Sequence, residues 1–201
     1  MYFIANWKMY GNLSSINSLK SIKSFSKRRV FKKTKIIYCP PYTLLRSFVQ
    51  KFKHSNIKVG AQNCHQKSDF GSYTGSINAK MIKSLGCNYV ILGHSENRYQ
   101  GETDKIINLK IKSAINENLK VIFCIGETLR EKRNNKTRTV LKKQILNGLK
   151  NISKLKNIII AYEPVWSIGS GKIPNSKELE KNIKFIKSLS IKRSKLKYTK
   201  V

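Results

Sequence analysis

The run YVILGHSE, residues 89–96, decides the fold. Its first five residues are apolar or β-branched with a closing glycine, and the polar His94 and Glu96 follow at once. A run so short and so apolar reads as a buried strand, because a buried helix needs roughly 10–12 residues. The pattern recurs in both directions. Residues 3–7, 35–39, 58–62, 120–125 and 157–162 are further strand-like runs. The stretches 16–30, 43–52, 79–85, 103–118, 137–152 and 177–189 lie around them and are expected helices. Strict alternation of strand and helix implies right-handed crossovers and a parallel sheet, either open and doubly wound or closed into a barrel. Periodicity does not separate the two, but the polar residues do. Asn6 and Lys8 end the first run, Gln62 and Asn63 the third, His94 and Glu96 the fourth, Gly126 and Glu127 the fifth, and Glu163 the sixth. An open sheet collects its ligand groups at one switch point, whereas a barrel collects them from the C-terminal ends of many strands. The expected fold is α/β, of the (β/α)8 barrel family.

The chain has 201 residues, 40% hydrophobic and 25% charged, which is enough apolar material for one core and too little for two. A single domain over 1–201 is expected. No segment approaches the ~18 apolar residues of a membrane span, and residues 1–12 lack a basic stretch followed by an apolar one. The expectation is a soluble, unexported, cytoplasmic protein with no membrane partner. Cys39, Cys64, Cys87 and Cys124 are scattered without a CxxC pair, so neither a zinc site nor a disulfide framework is indicated. The formal charge of +31 is a nucleic-acid binder's usual footprint. Its distribution argues against that partner. Lys20, Lys23, Lys83, Lys110, Lys112, Lys142, Lys143, Lys184 and Lys187 are spread over nearly every expected helix, without interleaved aromatics. A solvated basic surface results, which would also speed the arrival of a small phosphate dianion.

Six segments, ANWKM (5–9), AQN (61–63), YTG (73–75), YVILGHSE (89–96), CIGE (124–127) and AYEPVWSIGSGK (161–172), resemble the signatures of the triosephosphate isomerase family, in family order. The resemblance implies a TIM (β/α)8 barrel and an enzyme without cofactor or metal. Its reaction would interconvert D-glyceraldehyde 3-phosphate and dihydroxyacetone phosphate through an enediolate, a step of glycolysis and gluconeogenesis. Glu163 would be the base. An isolated Glu after a strand more often serves a helix terminus, but the lid-like segment PVWSIGSG that follows reverses those odds. Closure of that lid would keep water from a reactive intermediate. His94, between a buried strand and Ser95, would sit at a helix N-terminus whose dipole disfavours imidazolium. The Glu base and neutral His electrophile are the family's established pair, implied here by the resemblance. His54 and His65 lack such a context and read as surface or loop residues.

Lys8 would supply fixed charge near the phosphate and the developing oxyanion, with Asn6 donating a hydrogen bond beside it. Glu96 would hold the Lys8 ammonium, and Glu127 would support the lid residue Trp166. The GSGK at 169–172 fails as a nucleotide-binding P-loop, which needs Gly where Trp166 stands and Ser or Thr where Ile173 stands. Gly169 and Ser170 would instead contact a phosphate oxygen. The loop 62–75, with Thr74 near its tip, implies a homodimer in which the loop reaches the neighbouring subunit. Two local departures are Tyr10, where the family usually has Asn, and Ser76, where it usually has Glu. The larger one follows Leu189. The sequence stops about where a seventh strand would begin, whereas a complete barrel has eight strands in typically ~250 residues. About six βα units plus a stub are expected, without the glycine-rich turns after strands seven and eight. A non-catalytic relic of the same fold is therefore a second reading, and a basic nucleic-acid-binding protein a third.

Overall fold

In a computed structural model, residues 1–28 and 33–194 are described, 190–194 by their backbone alone. Six strands form: β1 (Tyr2–Asn6), β2 (Lys35–Cys39), β3 (Lys58–Ala61), β4 (Tyr89–Leu92), β5 (Lys120–Ile125) and β6 (Ile158–Tyr162). They pair in chain order, and every pair is parallel. All strand C-termini therefore share one end, which is what a barrel-type site requires. Side chains alternate across the sheet, as a strand's period of two demands. Ile91, Ile122 and Cys124 join Ile37, Cys39, Tyr89 and Ile159 on the inner face. Leu92, Phe123 and Ile125 face the helices with Phe48, Ile107, Leu141 and Ile145. Tyr2, Ile4 and Ala161, on the two edge strands β1 and β6, are only partly buried against the inner cluster. The architecture is a half-barrel.

The helices are α1 (Lys20–Phe25), α2 (Leu45–Phe52), α3 (Ala79–Ser84), α4 (Ser95–Tyr99), α5 (Asp104–Asn116), α6 (Leu129–Arg133), α7 (Thr137–Gly148) and α8 (Ser176–Ser194). Helix α5 shows why they form where they do. Thr103 caps it by accepting from the Ile106 N–H, Asp104 favours its positive end, and Ile107, Ile111, Ala114 and Ile115 make one buried face. Between α2 and the first two strands, Trp7 meets Phe48 edge-on at 4.9 Å and Tyr38 at 6.4 Å. That packing anchors the residue beside Lys8. Among the described residues no helix is long and apolar enough to cross a membrane.

The helix expected over 16–30 is shorter than the apolar pattern suggests. A 3-10 segment, Leu13–Leu19, capped by Asn12, precedes α1, and residues 29–30 lie outside the described residues. Serines at 14, 15, 18, 21 and 24 weaken an α-helix by bonding locally, as Ser18 does to the Ser15 carbonyl at 2.8 Å. Helix α4 begins where the helix N-terminus at His94 is expected, whereas α6 is not expected, having no buried residue to create a periodic signal. The stub expected after Leu189 begins as helix, because α8 runs on to Ser194, and its remainder, 195–201, lies outside the described residues.

Candidate active site

The end of β1 supplies the first group. After Asn6 the backbone turns sharply, and Lys8 adopts φ +50, a left-handed conformation costing a non-glycine residue about 1–2 kcal/mol. Three contacts hold it there. The Lys8 N–H donates to Asn6 Oδ1 at 3.0 Å, and Gln62 Nε2 donates at 2.8 Å both to the Lys8 carbonyl and to that of Cys39. Gln62 thus links the turn after β1 to the ends of β2 and β3. The Lys8 ammonium is aimed across the site and pairs with Glu96 Oε1 at 2.9 Å.

His94 follows β4 and caps α4. Its Nδ1 accepts the Glu96 backbone N–H at 3.3 Å, and the ring is only 5% exposed. The Glu96 carboxylate also approaches Nδ1, at 3.4 Å, so two readings of the ring compete. A backbone N–H can only donate, which makes Nδ1 an acceptor and puts the proton of the neutral ring on Nε2. That N–H faces Glu163, whose Oε2 lies 3.6 Å away, too far for a hydrogen bond. Glu163 Oε2 is buried and has no hydrogen-bond partner among the described residues. That oxygen therefore keeps its lone pairs free on the side facing His94. Ser95, Gly126 and Glu163 line a small void beside it, together with Cys124. Burial, and secondarily the Glu163 charge, pushes the Cys124 thiol well above its usual range, so it stays protonated.

The segment after Glu163 is held from below. Glu127 is fully buried and accepts from Trp166 Nε1 at 2.8 Å and from the Tyr162 hydroxyl at 3.1 Å, while Asn182 Nδ2 donates to that hydroxyl at 2.9 Å. Burial and the Glu127 charge push the Tyr162 phenol above its ordinary value, so it remains a donor. The Lys132 ammonium lies 3.8 Å from the centre of the Trp166 ring and also pairs with Glu178 at 2.8 Å. Trp166→Phe removes one donor from a buried charge and is expected to cost about 1–3 kcal/mol, read as a lower denaturation midpoint. An unchanged midpoint would contradict this view of Glu127.

The remaining sequence-predicted residues are placed apart from this cluster. Gly169 (φ +66) and Ser170 are exposed, and the Ser170 hydroxyl donates to the Trp166 carbonyl at 2.8 Å. Thr74 is exposed on its loop. Several positioning groups were not found from the sequence. Arg98 donates from Nε to the Gly93 carbonyl at 2.8 Å, from Nη2 to the Cys124 carbonyl at 3.4 Å, and pairs with Asp104 at 2.7 Å. It ties the ends of β4 and β5 behind His94. Gln144 accepts from the Gly126 N–H at 2.9 Å and donates to its carbonyl at 3.1 Å. Buried Lys110 bonds Asn63 at 3.0 Å and pairs with Glu102, fixing the root of the 62–75 loop. Lys110, expected on the solvated basic surface, is instead buried because Asn63 and Glu102 partner it, and only pairing in space reveals the roles of Arg98, Gln144 and Lys110. For α6 a signal was present, the Thr128–Glu131 capping box.

The family model described as triosephosphate isomerase matches residues 1–201. Curated proteins of that name are similar. The one from Alkaliphilus oremlandii (strain OhILAs) is 43% identical over 187 residues, covering 92% of this chain and 74% of the relative. One from Clostridium botulinum (strain ATCC 19397 / Type A) is 42% identical over 188 residues, with the same coverage. Among solved structures, the crystal structure of triosephosphate isomerase from Bartonella henselae superposes with a TM-score of 0.85 at 37% identity, covering 96% of this chain and 76% of that one.

Proposed function

The chain belongs to the triosephosphate isomerase family, and from that premise we propose that it interconverts D-glyceraldehyde 3-phosphate and dihydroxyacetone phosphate by proton transfer at the end of the half-barrel. The observation that carries the reading is the facing of Glu163 Oε2, buried and unpartnered, by His94 Nε2 at 3.6 Å. In the forward direction the Glu163 carboxylate takes a proton from C1 of dihydroxyacetone phosphate. The C–H electron pair moves into the C1–C2 bond and the carbonyl π pair onto the C2 oxygen, giving an enediolate. The His94 Nε2–H donates to that oxygen as charge grows, and Lys8 stabilises the same charge electrostatically. Proton movement between the two oxygens and return of the Glu163 proton to C2 give the aldehyde. No redox change occurs, so no cofactor is needed.

Binding groups follow the same logic. Asn6 has its Oδ1 engaged by the Lys8 N–H, which leaves its amide nitrogen to donate to substrate. The backbone N–H of Gly169 and the hydroxyl of Ser170 would reach the phosphate once the lid moves, Ser170 first releasing the Trp166 carbonyl. Lys8→Met removes a charge-assisted contact worth about 1.5–3 kcal/mol, so kcat/KM should fall about 10- to 100-fold. An unchanged kcat/KM would remove Lys8 from the site. Loop 62–75 exposes Phe70 (68%) and Tyr73, with Thr74 beside them, and this supports a homodimer in which the loop docks on a second copy. Sedimentation at micromolar concentration tests that, a monomer being the contrary result. The place of action is the cytoplasm, on glycolytic and gluconeogenic triose phosphates. The experiment for the reading as a whole is a coupled assay of triose phosphate turnover with the full chain. Turnover supports it, and substrate binding without turnover would favour a non-catalytic member of the same fold.

A further inference from the structure

The end of the sheet opposite the candidate active site holds a second cavity, of about 420 Å³, with a very different lining. Lys35, Lys58 and Lys120 are the first residues of β2, β3 and β5, so parallel pairing brings all three to this end. Lys83, from the last turn of α3, completes a set of four lysines around Asn56, Asn88 and Tyr89. No carboxylate lines the cavity. None of the four lysines forms an ion pair among the described residues.

The charge is not a local accident of a lysine-rich chain. Of the ten Asp and Glu residues in the sequence, only Glu117 lies on the approach to a strand; the others fall between a strand end and the second turn of the next long helix. The acids thus gather at the active-site end, and the opposite end is almost free of them. That end also collects helix C-termini, whose carbonyls attract cations. Lys83 partly answers that demand by reaching the Asn118 carbonyl at 3.5 Å. Lys35 and Lys120 instead lean over the rings of Tyr2 and Tyr89, each 5.7 Å from the ring centre, where no anion compensates them.

We propose that this cavity binds a compact polyphosphate, a small molecule with several contiguous phosphate groups. Four ammonium groups around one concavity exceed what a single phosphate neutralises, and a volume near 420 Å³ lies within the range of small-molecule sites, roughly 300–1,000 Å³. The asparagine amide N–H groups add donors for the bridging and terminal oxygens. A nucleic-acid strand is a poorer fit. Strand binding uses exposed aromatic faces for the bases, and Tyr89, the aromatic residue in the lining, is 2% exposed.

Titration calorimetry of the full chain with tripolyphosphate near physiological salt tests the site. One-to-one binding is expected, weakened about tenfold or more in Lys58→Gln/Lys120→Gln, since hydrogen bonds to charged groups are among the stronger polar contacts. Lys35→Gln alone should weaken it in the same direction. Lys105→Gln/Lys143→Gln, which removes the same charge from exposed helix positions, should change it less than about threefold, as expected of diffuse screening. All five positions are exposed, so the variants should fold, and a denaturation midpoint checks each. Equal weakening by both double variants would reduce the effect to overall charge and overturn the proposal. So would a loss caused by Lys8→Met in place of the Lys58/Lys120 pair, an absence of binding, or displacement of tripolyphosphate by a single-stranded RNA oligonucleotide at lower phosphate concentration.

Discussion

Glu163→Gln should lower kcat by about 10²–10⁴-fold with little change in KM, because a positioned general base contributes roughly that much. The amide keeps the size and the hydrogen-bonding reach of the carboxylate but cannot hold the abstracted proton. The fold should survive. Glu163 donates its backbone N–H to the Ile125 carbonyl at 2.9 Å, and that bond does not depend on the side chain. The buried Oε2, unpartnered among the described residues, even makes a neutral group cheaper to bury at this position. Glu163→Asp is the geometric counterpart. It keeps the base and retracts it by roughly 1 Å, a misplacement that can cost ~10²-fold. Steady-state kinetics on both variants checks the pair, and unchanged turnover in either removes Glu163 as the base.

Gly126→Ala should produce a loss of similar size without touching any reacting group. A Cβ on Gly126 would stand 1.9 Å from the Glu163 carbonyl oxygen and 2.8 Å from its carbonyl carbon, both main-chain atoms that cannot swing aside. Gln144 grips the N–H and the carbonyl of Gly126, so β5 cannot retreat easily either. The contact must open to about 3 Å, which moves Glu163 by roughly 1 Å and implies a ~10²-fold fall in kcat. Overpacking should cost a further 1–3 kcal/mol of stability, roughly. Kinetics and a denaturation curve on the same preparation separate the two effects. A variant that is destabilised yet fully active would show that Glu163 does not depend on the ends of β5 and β6 for its position.

These two residues also mark the limit of what the sequence reveals. Glu163 was legible because an apolar run ends in a carboxylate and a lid-like segment follows. The glycine requirement at 126 was not, since its cause is a carbonyl on the neighbouring strand. The six strands were legible within one or two residues, because buried parallel strands are short apolar runs with abrupt polar ends. Helix α6 was not, and α4 only by its start at His94, because a single polar turn carries no period. The same reasoning divides the candidate site. His94, Lys8, Glu96 and Gln62 stand at strand ends and were found, whereas Arg98 and Gln144 act on the main chain at strand ends other than their own. A side chain that serves someone else's main chain leaves no pattern in its own neighbourhood. The left-handed backbone of Lys8 was likewise hidden, as nothing in the ANWKM segment predicts a positive φ at a lysine.

The central claim is that Glu163 exchanges a carbon-bound proton of a triose phosphate, and deuterium exchange measures that step itself. Dihydroxyacetone phosphate is incubated with the full chain in D2O and its C1 protons are followed by NMR. The account predicts deuterium entering C1 with the unaltered chain and its loss to background in Glu163→Gln. Absence of exchange with the unaltered chain, or equal exchange in Glu163→Gln, would contradict it.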